Sequence, residues 1–110
     1  MTGNEYQKLA ARTINKSLSK TENEKHAMLG LFSEIGELSG LYQKVYQGHK
    51  LDDKHLKSEL GDVLWFVAEF CTAKDWRLED VMQANITKLK ARYPEGFDAE
   101  HSLHRKDGDV

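Results

Sequence analysis

Residues 31–70 read LFSEIGELSGLYQKVYQGHKLDDKHLKSELGDVLWFVAEF, and this stretch decides the fold. Apolar residues recur at steps of three and four in both of its halves. The two sets are Leu31, Ile35, Leu38, Tyr42 and Val45, then Leu56, Leu60, Val63, Leu64, Val67 and Cys71. This period is typical of amphipathic helices. The stretch therefore predicts two helices, each with one apolar stripe.

Each predicted helix carries two acidic residues three positions apart, Glu34 and Glu37 on the first and Glu59 and Asp62 on the second. Residues three apart share a helix face, so each pair forms a ledge at the margin of the apolar stripe. If the helices pack antiparallel through their stripes, the two ledges converge on one cleft. Two unit charges about 6 Å apart repel by ~3 kcal/mol at an effective dielectric of about 20. Four converging carboxylates therefore favour a bound cation.

Carboxylates without His or Cys suit Mg²⁺, Mn²⁺ or Ca²⁺ rather than Zn²⁺ or copper. The alternative is that these acids are ordinary solvated residues, which are common on helix surfaces. A glycine lies inside each acid pair, Gly36 in the first and Gly61 in the second. Because glycine inside a helix costs about 1 kcal/mol relative to alanine, these positions predict the close approach of a backbone or ligand.

The bulk properties limit the function classes. The chain has 110 residues and a net charge of −2, so it forms one domain and offers no electrostatic reason to bind nucleic acid or an anionic membrane. Its longest apolar run, Val63–Ala68, is too short to span a bilayer, and its N-terminus lacks a signal-peptide pattern. The single cysteine, Cys71, predicts a buried thiol in a reducing cytoplasm. A chain this short also favours a core shared within an oligomer.

The rest of the sequence predicts further helices and no strand, so we expect an all-α four-helix bundle over residues 1–97 and a polar, loosely docked or disordered tail over residues 98–110. The predicted helices run from Glu5 to about Leu18, from a capping box at Thr21–Glu24 to about Gln47, from Asp52–Asp53 to about Ala73, and from Leu78 to about Ala91.

The fourth predicted helix carries a second polar set, since Asn85, Lys88 and Arg92 fall on one face. An amide and two cations can bind phosphate oxygens, and Arg can do so in a bidentate way. Taken alone, the set is also explained as a solvated charged face. Opposite an acidic metal site, it suggests that a polyphosphate is held between divalent ions and cations.

Three motifs together resemble the MazG-like nucleoside triphosphate pyrophosphohydrolases over about residues 5–97. They are Glu34-x-x-Glu37, then Glu59-Leu60-Gly61-Asp62-Val63-Leu64-Trp65, then Ala84-Asn85-Ile86-x-Lys88-Leu89-x-x-Arg92-Tyr93-Pro94-x-Gly96-Phe97. The resemblance implies an all-α bundle that forms homodimers or homotetramers through apolar helix faces. It also implies Mg²⁺-dependent cleavage of an NTP or dNTP between the α and β phosphates, with Mn²⁺ as a substitute. The products would be a monophosphate and pyrophosphate, in house-cleaning or nucleotide-pool control.

The resemblance assigns roles by position. Its metal-binding and catalytic acids correspond to Glu34, Glu37, Glu59 and Asp62, and its phosphate contacts to Asn85, Lys88 and Arg92. Many members carry a further Glu immediately before the first motif acid, where this chain has Ser33. Any scheme that uses that extra carboxylate as base or ligand is therefore unsupported here, and Glu34 or a water activated by the metal would serve.

Base and sugar preference stay open. Trp65, three residues after Asp62, is a candidate base-stacking platform, although a core or interface aromatic explains it as well. His26 is a surface histidine or a base or sugar contact. Within the same superfamily a phosphoribosyl-ATP pyrophosphohydrolase is an alternative, and substrate profiling separates the two.

Two further classes compete with a pyrophosphohydrolase. A di-iron carboxylate bundle would carry Glu-x-x-His motifs, which neither acid pair provides. A non-catalytic helical interaction module would use the acids only for solubility, and it would show no stoichiometric divalent site.

Overall fold

The computed structural model describes all 110 residues, and every regular element in it is a helix. The five helices are α1 (Gly3–Ala11), α2 (Lys20–Val45), α3 (Asp53–Ala73), α4 (Leu78–Arg92) and α5 (Ala99–Leu103). The predicted all-α fold is confirmed, and the four predicted helices are all present. The short helix α5 lies in the C-terminal segment, where the sequence predicted none.

Two predicted helix boundaries were wrong around residues 12–19. Helix α1 ends at Ala11 rather than near Leu18, because the Ser17 amide and hydroxyl both donate to the Asn15 side chain and form a local turn that competes with the helix. Helix α2 then begins earlier than predicted. Its capping box uses Ser19 and Glu22 rather than Thr21 and Glu24, each side chain accepting from the other's backbone amide.

Helices α2 and α3 form an antiparallel pair with an unusually close approach at its middle. A Cβ atom at Gly30 would lie 2.1 Å from the Phe66 ring, so only glycine lets this ring sit directly against α2. Gly36 and Gly61, where a close approach was predicted, have no atom within 4 Å of a Cβ position. Within the chain, the close contact with a helix backbone is therefore the one between the Phe66 ring and Gly30, and it does not occur at the glycines between the acids.

Helix α1 joins α3 to α4 through Gln7. The Gln7 amide nitrogen donates to the Thr72 hydroxyl (3.2 Å) and to the Trp76 carbonyl (2.9 Å), and its carbonyl accepts from the Leu78 amide (2.7 Å). A second link runs from the Asn4 amide to the Glu79 carboxylate (3.1 Å). These contacts fix the start of α4 beside the end of α3.

The chain has a small core and a large uncovered apolar face. The buried apolar residues are Ala10, Ala27, Ala68 and Cys71, so the prediction of a buried Cys71 thiol is confirmed. The radius of gyration is 17.2 Å, compared with about 13 Å for a compact chain of this length. No helix is both long enough and apolar enough to cross a membrane.

The predicted apolar stripes of α2 and α3 are buried only in part. Leu31 and Leu38 on α2 and most of the α3 stripe are half-buried or buried, whereas Tyr42 is 55% exposed and Leu64 is 56% exposed. The side chains that line the α2–α3 contact include the motif acids. The outward apolar face comprises Leu29, Phe32, Ile35, Tyr42, Leu60 and Leu64.

Candidate metal and phosphate site

The antiparallel pairing of α2 and α3 brings three of the four motif acids together. One carboxylate oxygen each from Glu34, Glu59 and Asp62 lies within 4.8 Å of the others. Glu59 and Asp62 are one helical turn apart on α3, so both reach the same turn of α2, where Glu34 lies. Glu37 lies outside this group of three oxygens, but it is close enough to Glu59 and Glu34 for these acids to shift its pKa.

The proximity of these acids shifts their pKa values. A hydrogen bond with Glu59, followed by burial and the charges of its neighbours, raises the pKa of Glu34 to about 7. A hydrogen bond with Glu59 also raises the pKa of Glu37. The pKa of Glu59 is lowered, because it accepts hydrogen bonds from Glu34 and Glu37 and, less strongly, from His55. Without a cation, these shifts favour a proton on Glu34 near neutral pH.

The cluster fits a hard divalent cation. Glu34 Oε2 and Glu59 Oε2 are buried and accept no hydrogen bond, which is costly for carboxylate oxygens. The donor set consists only of oxygens, the ligands that Mg²⁺ and Mn²⁺ prefer. Glu34, Glu59 and Asp62 would hold such an ion, with Glu37 beside them.

A cavity of about 280 Å³ opens next to the cluster, and Glu37, Gly40, Leu41, Lys44, His55 and Glu59 line it. His55 Nε2 lies 3.2 Å from Glu59 Oε1, one helical turn away on α3. Lys44 and His55 were not predicted as site residues from the sequence, although both line this cavity. Helical spacing could have found both, since Lys44 lies seven residues after Glu37 and His55 four residues before Glu59.

A contact between Glu69 and His26 continues the polar contact between α2 and α3 beyond the motif acids. Glu69 is only 1% exposed, and its carboxylate lies 2.9–3.0 Å from Nδ1 of His26. His26 is half exposed, and its ring also contacts Phe66 with centroids 5.9 Å apart. Glu69 was not predicted as a site residue from the sequence. Its place within the apolar run Val67–Cys71 could have indicated a buried carboxylate.

Trp65 connects α3 to the turn that follows α1. Its indole Nε1 donates to the Thr13 hydroxyl at 2.8 Å, and its ring meets Phe66 edge to face at 5.1 Å. Trp65 is partly buried by these contacts. Its role as a base-stacking platform stays a prediction.

The polar set on α4 does not meet the acids within one protomer. Asn85 is exposed, and Lys88 and Arg92 line a different cavity, which the C-terminal segment encloses. No hydrogen bond or ion pair joins Asn85, Lys88 or Arg92 to the four acids. One chain therefore presents the metal-binding acids and the candidate phosphate contacts on separate surfaces.

Comparison with known proteins places this site in a family. The model of the MazG nucleotide pyrophosphohydrolase domain matches residues 22–97, which include all four acids and the α4 set. The chain belongs to the MazG nucleotide pyrophosphohydrolase domain family. The Gene 37 protein of Mycobacterium phage L5 is 33% identical over 82 residues, covering 68% of this chain and 70% of that protein. No solved structure matches the chain. The MazG match ends at Phe97, so the C-terminal segment lies outside the matched region.

Proposed function

We propose that this MazG-family protein is a Mg²⁺-dependent pyrophosphohydrolase, with Mn²⁺ as a substitute, that cleaves an NTP or dNTP between the α and β phosphates. The products would be a nucleoside monophosphate and pyrophosphate. One observation carries the proposal: Glu34, Glu59 and Asp62 place three carboxylate oxygens within 4.8 Å of one another, in a match to a pyrophosphohydrolase family.

The acids hold the cation, and their proton states prepare them for it. Glu59 has a lowered pKa and is ionised at neutral pH, and His55 fixes the orientation of its carboxylate. Glu34 must release its proton before it binds a cation, since its pKa is about 7. Glu34, Glu59 and Asp62 would hold a divalent ion, whose charge would supply polarisation of the α-phosphate, activation of a water and neutralisation of the departing pyrophosphate. Because Ser33 replaces the extra motif acid, Glu34 or a water activated by the metal would have to serve as the base.

The phosphate contacts come from two places in this proposal. Lys44 lines the cavity beside the acids and is the cation that one protomer supplies there. Asn85, Lys88 and Arg92 lie on α4 and reach an acid cluster only if α4 of one copy approaches α2 and α3 of another. A homodimer or homotetramer that buries the outward apolar face would allow this approach.

A pyrophosphate-release screen over all NTPs, all dNTPs and phosphoribosyl-ATP tests the function. With Mg²⁺ we expect pyrophosphate and the corresponding monophosphate from at least one nucleotide, and with EDTA we expect neither. Activity confined to phosphoribosyl-ATP would select that alternative relative. Orthophosphate and a nucleoside diphosphate as the sole products would contradict cleavage between the α and β phosphates. A protein that binds no divalent ion in calorimetry would instead be a non-catalytic helical module.

A further inference from the structure

The end of α4 and the C-terminal segment enclose a second cavity, of about 320 Å³, that is distinct from the acid cluster. Its lining residues are Lys88, Ala91, Arg92, His101, His104, Arg105, Lys106, Asp107, Gly108 and Asp109. The volume is within the range of small-ligand sites, which begins at about 300 Å³. Most of the lining residues are charged or polar in type, and Ala91 is the single hydrophobic one.

Positive charge exceeds negative charge around this cavity. Lys88, Arg92, Arg105 and Lys106 carry four positive charges, whereas Asp107 and Asp109 carry two negative ones. Arg92 is the only one of these cations with an ion-pair partner in the protein, and the other three lie beyond 4.0 Å of every carboxylate. In a chain whose overall charge is −2, this local excess favours an anion.

The Asp109 carboxylate already binds Arg92, a largely buried cation of this cavity, in the way that a bound anion would. Arg92 Nε donates to Asp109 Oδ2 at 2.8 Å, and Arg92 Nη2 donates to Asp109 Oδ1 at 2.5 Å. The two side chains are only 10% and 15% exposed. This bidentate geometry is also the one that Arg uses for phosphate. The hydrogen bonds from Arg92 are the main reason why the pKa of Asp109 is lowered, and the charges of Arg105 and Lys88 also contribute. All three cations therefore lie near this carboxylate.

We propose that this cavity is a binding pocket for the polyphosphate chain of a nucleotide, and that the Asp109 carboxylate occupies Arg92 until a phosphate displaces it. The proposal rests on the proposed function and extends it, because it adds the C-terminal segment, above all Arg105 and Lys106, to the phosphate site. A polyphosphate carries more charge than one carboxylate and reaches several cations at once, so it competes effectively for Arg92. The segment then acts both as part of the pocket and as an internal competitor.

Calorimetric titration of the full chain with inorganic tripolyphosphate in EDTA tests this pocket without any metal or turnover. We expect saturable binding, with one tripolyphosphate per chain, that is stronger than the binding of orthophosphate. Lys88→Gln should weaken binding about fivefold or more, since a charge-assisted contact is lost. Lys90→Gln is the matched control, because Lys90 is an exposed residue of α4 that does not line the cavity, and it should leave the affinity unchanged.

A second pair of variants tests whether Asp109 competes with a phosphate for Arg92. Asp109→Asn frees Arg92 and should strengthen tripolyphosphate binding about threefold or more, since a larger fraction of the protein is then competent to bind. Asp107→Asn removes the same charge from the same cavity without touching Arg92, so its effect should be smaller. Equal effects of the two changes, equal effects of Lys88→Gln and Lys90→Gln, or no binding to the wild type would overturn the proposal. Absence of pyrophosphate release with Mg²⁺, by contrast, would count against the proposed function and would leave this EDTA result intact.

Discussion

The affinity of the acid cluster for a divalent ion should rise with pH between 6 and 8. Glu34 must lose its proton to bind the ion, and its pKa is about 7. With that pKa, about one-eleventh of the Glu34 side chains are ionised at pH 6, about half at pH 7 and about ten-elevenths at pH 8. The affinity for the ion should therefore increase about tenfold from pH 6 to pH 8. Between pH 7 and pH 8 it should increase only about twofold.

Isothermal titration with Mn²⁺ at pH 6, 7 and 8 measures this dependence. Repeating each titration in two buffers with different ionisation enthalpies counts the protons released, which should approach one per ion at pH 6 and zero at pH 8. Glu34→Gln removes the titrating group, so its weaker binding should lose the tenfold dependence. Glu95→Gln, which changes an exposed acid in the loop after α4, should retain it. A wild-type affinity that is constant from pH 6 to pH 8 would refute the shared-proton description of the cluster.

Three further predictions concern stability and assembly. Glu59→Gln and Asp62→Asn relieve repulsion among the acids, so both should leave the melting temperature in EDTA unchanged or raise it. Both should also reduce the increase in melting temperature that Mg²⁺ produces, because a metal ligand is lost. Thermal melts with EDTA and with Mg²⁺ measure both effects. Gly30→Ala should destabilise the fold by ~1–3 kcal/mol in urea unfolding, because the new methyl group collides with Phe66, whereas Gly36→Ala, in open space within a helix, should stabilise it by up to ~1 kcal/mol. Light scattering should find a homodimer or homotetramer, and an active monomer at micromolar concentration would contradict that expectation.

The sequence predicted the helices because they follow from local spacing, and it predicted the convergence of the acids on the condition that the two helices pair antiparallel. Helical period alone gives the amphipathic segments, and two acids three residues apart necessarily share a face. The extent to which the stripes are buried was not predictable. The apolar residues of α2 and α3 were expected to pack together with the acids at the margin, but Tyr42 and Leu64 are exposed. A periodic apolar stripe does not reveal whether it is buried by its own chain or by another copy.

Features that depend on contacts between distant residues were harder to predict. Glu69 and His26 are 43 residues apart, and only the pairing of α2 with α3 brings them together. The pairing of Arg92 with Asp109 likewise depends on a C-terminal segment that folds back over α4, which a polar tail sequence does not indicate. The break after α1 could have been predicted from the turn-forming Asn15-x-Ser17, but the apolar spacing of Ile14 and Leu18 outweighed it.

The most direct test of the central claim is pyrophosphate release measured against Mg²⁺ concentration for the wild type and for Asp62→Asn. We expect Mg²⁺-dependent release by the wild type on its best nucleotide, and no turnover by Asp62→Asn at the same Mg²⁺ concentrations, with the variant's fold verified by its helical circular dichroism. If Asp62→Asn retains full activity with an unchanged Mg²⁺ dependence, then the cluster of Glu34, Glu59 and Asp62 is not the site of the reaction.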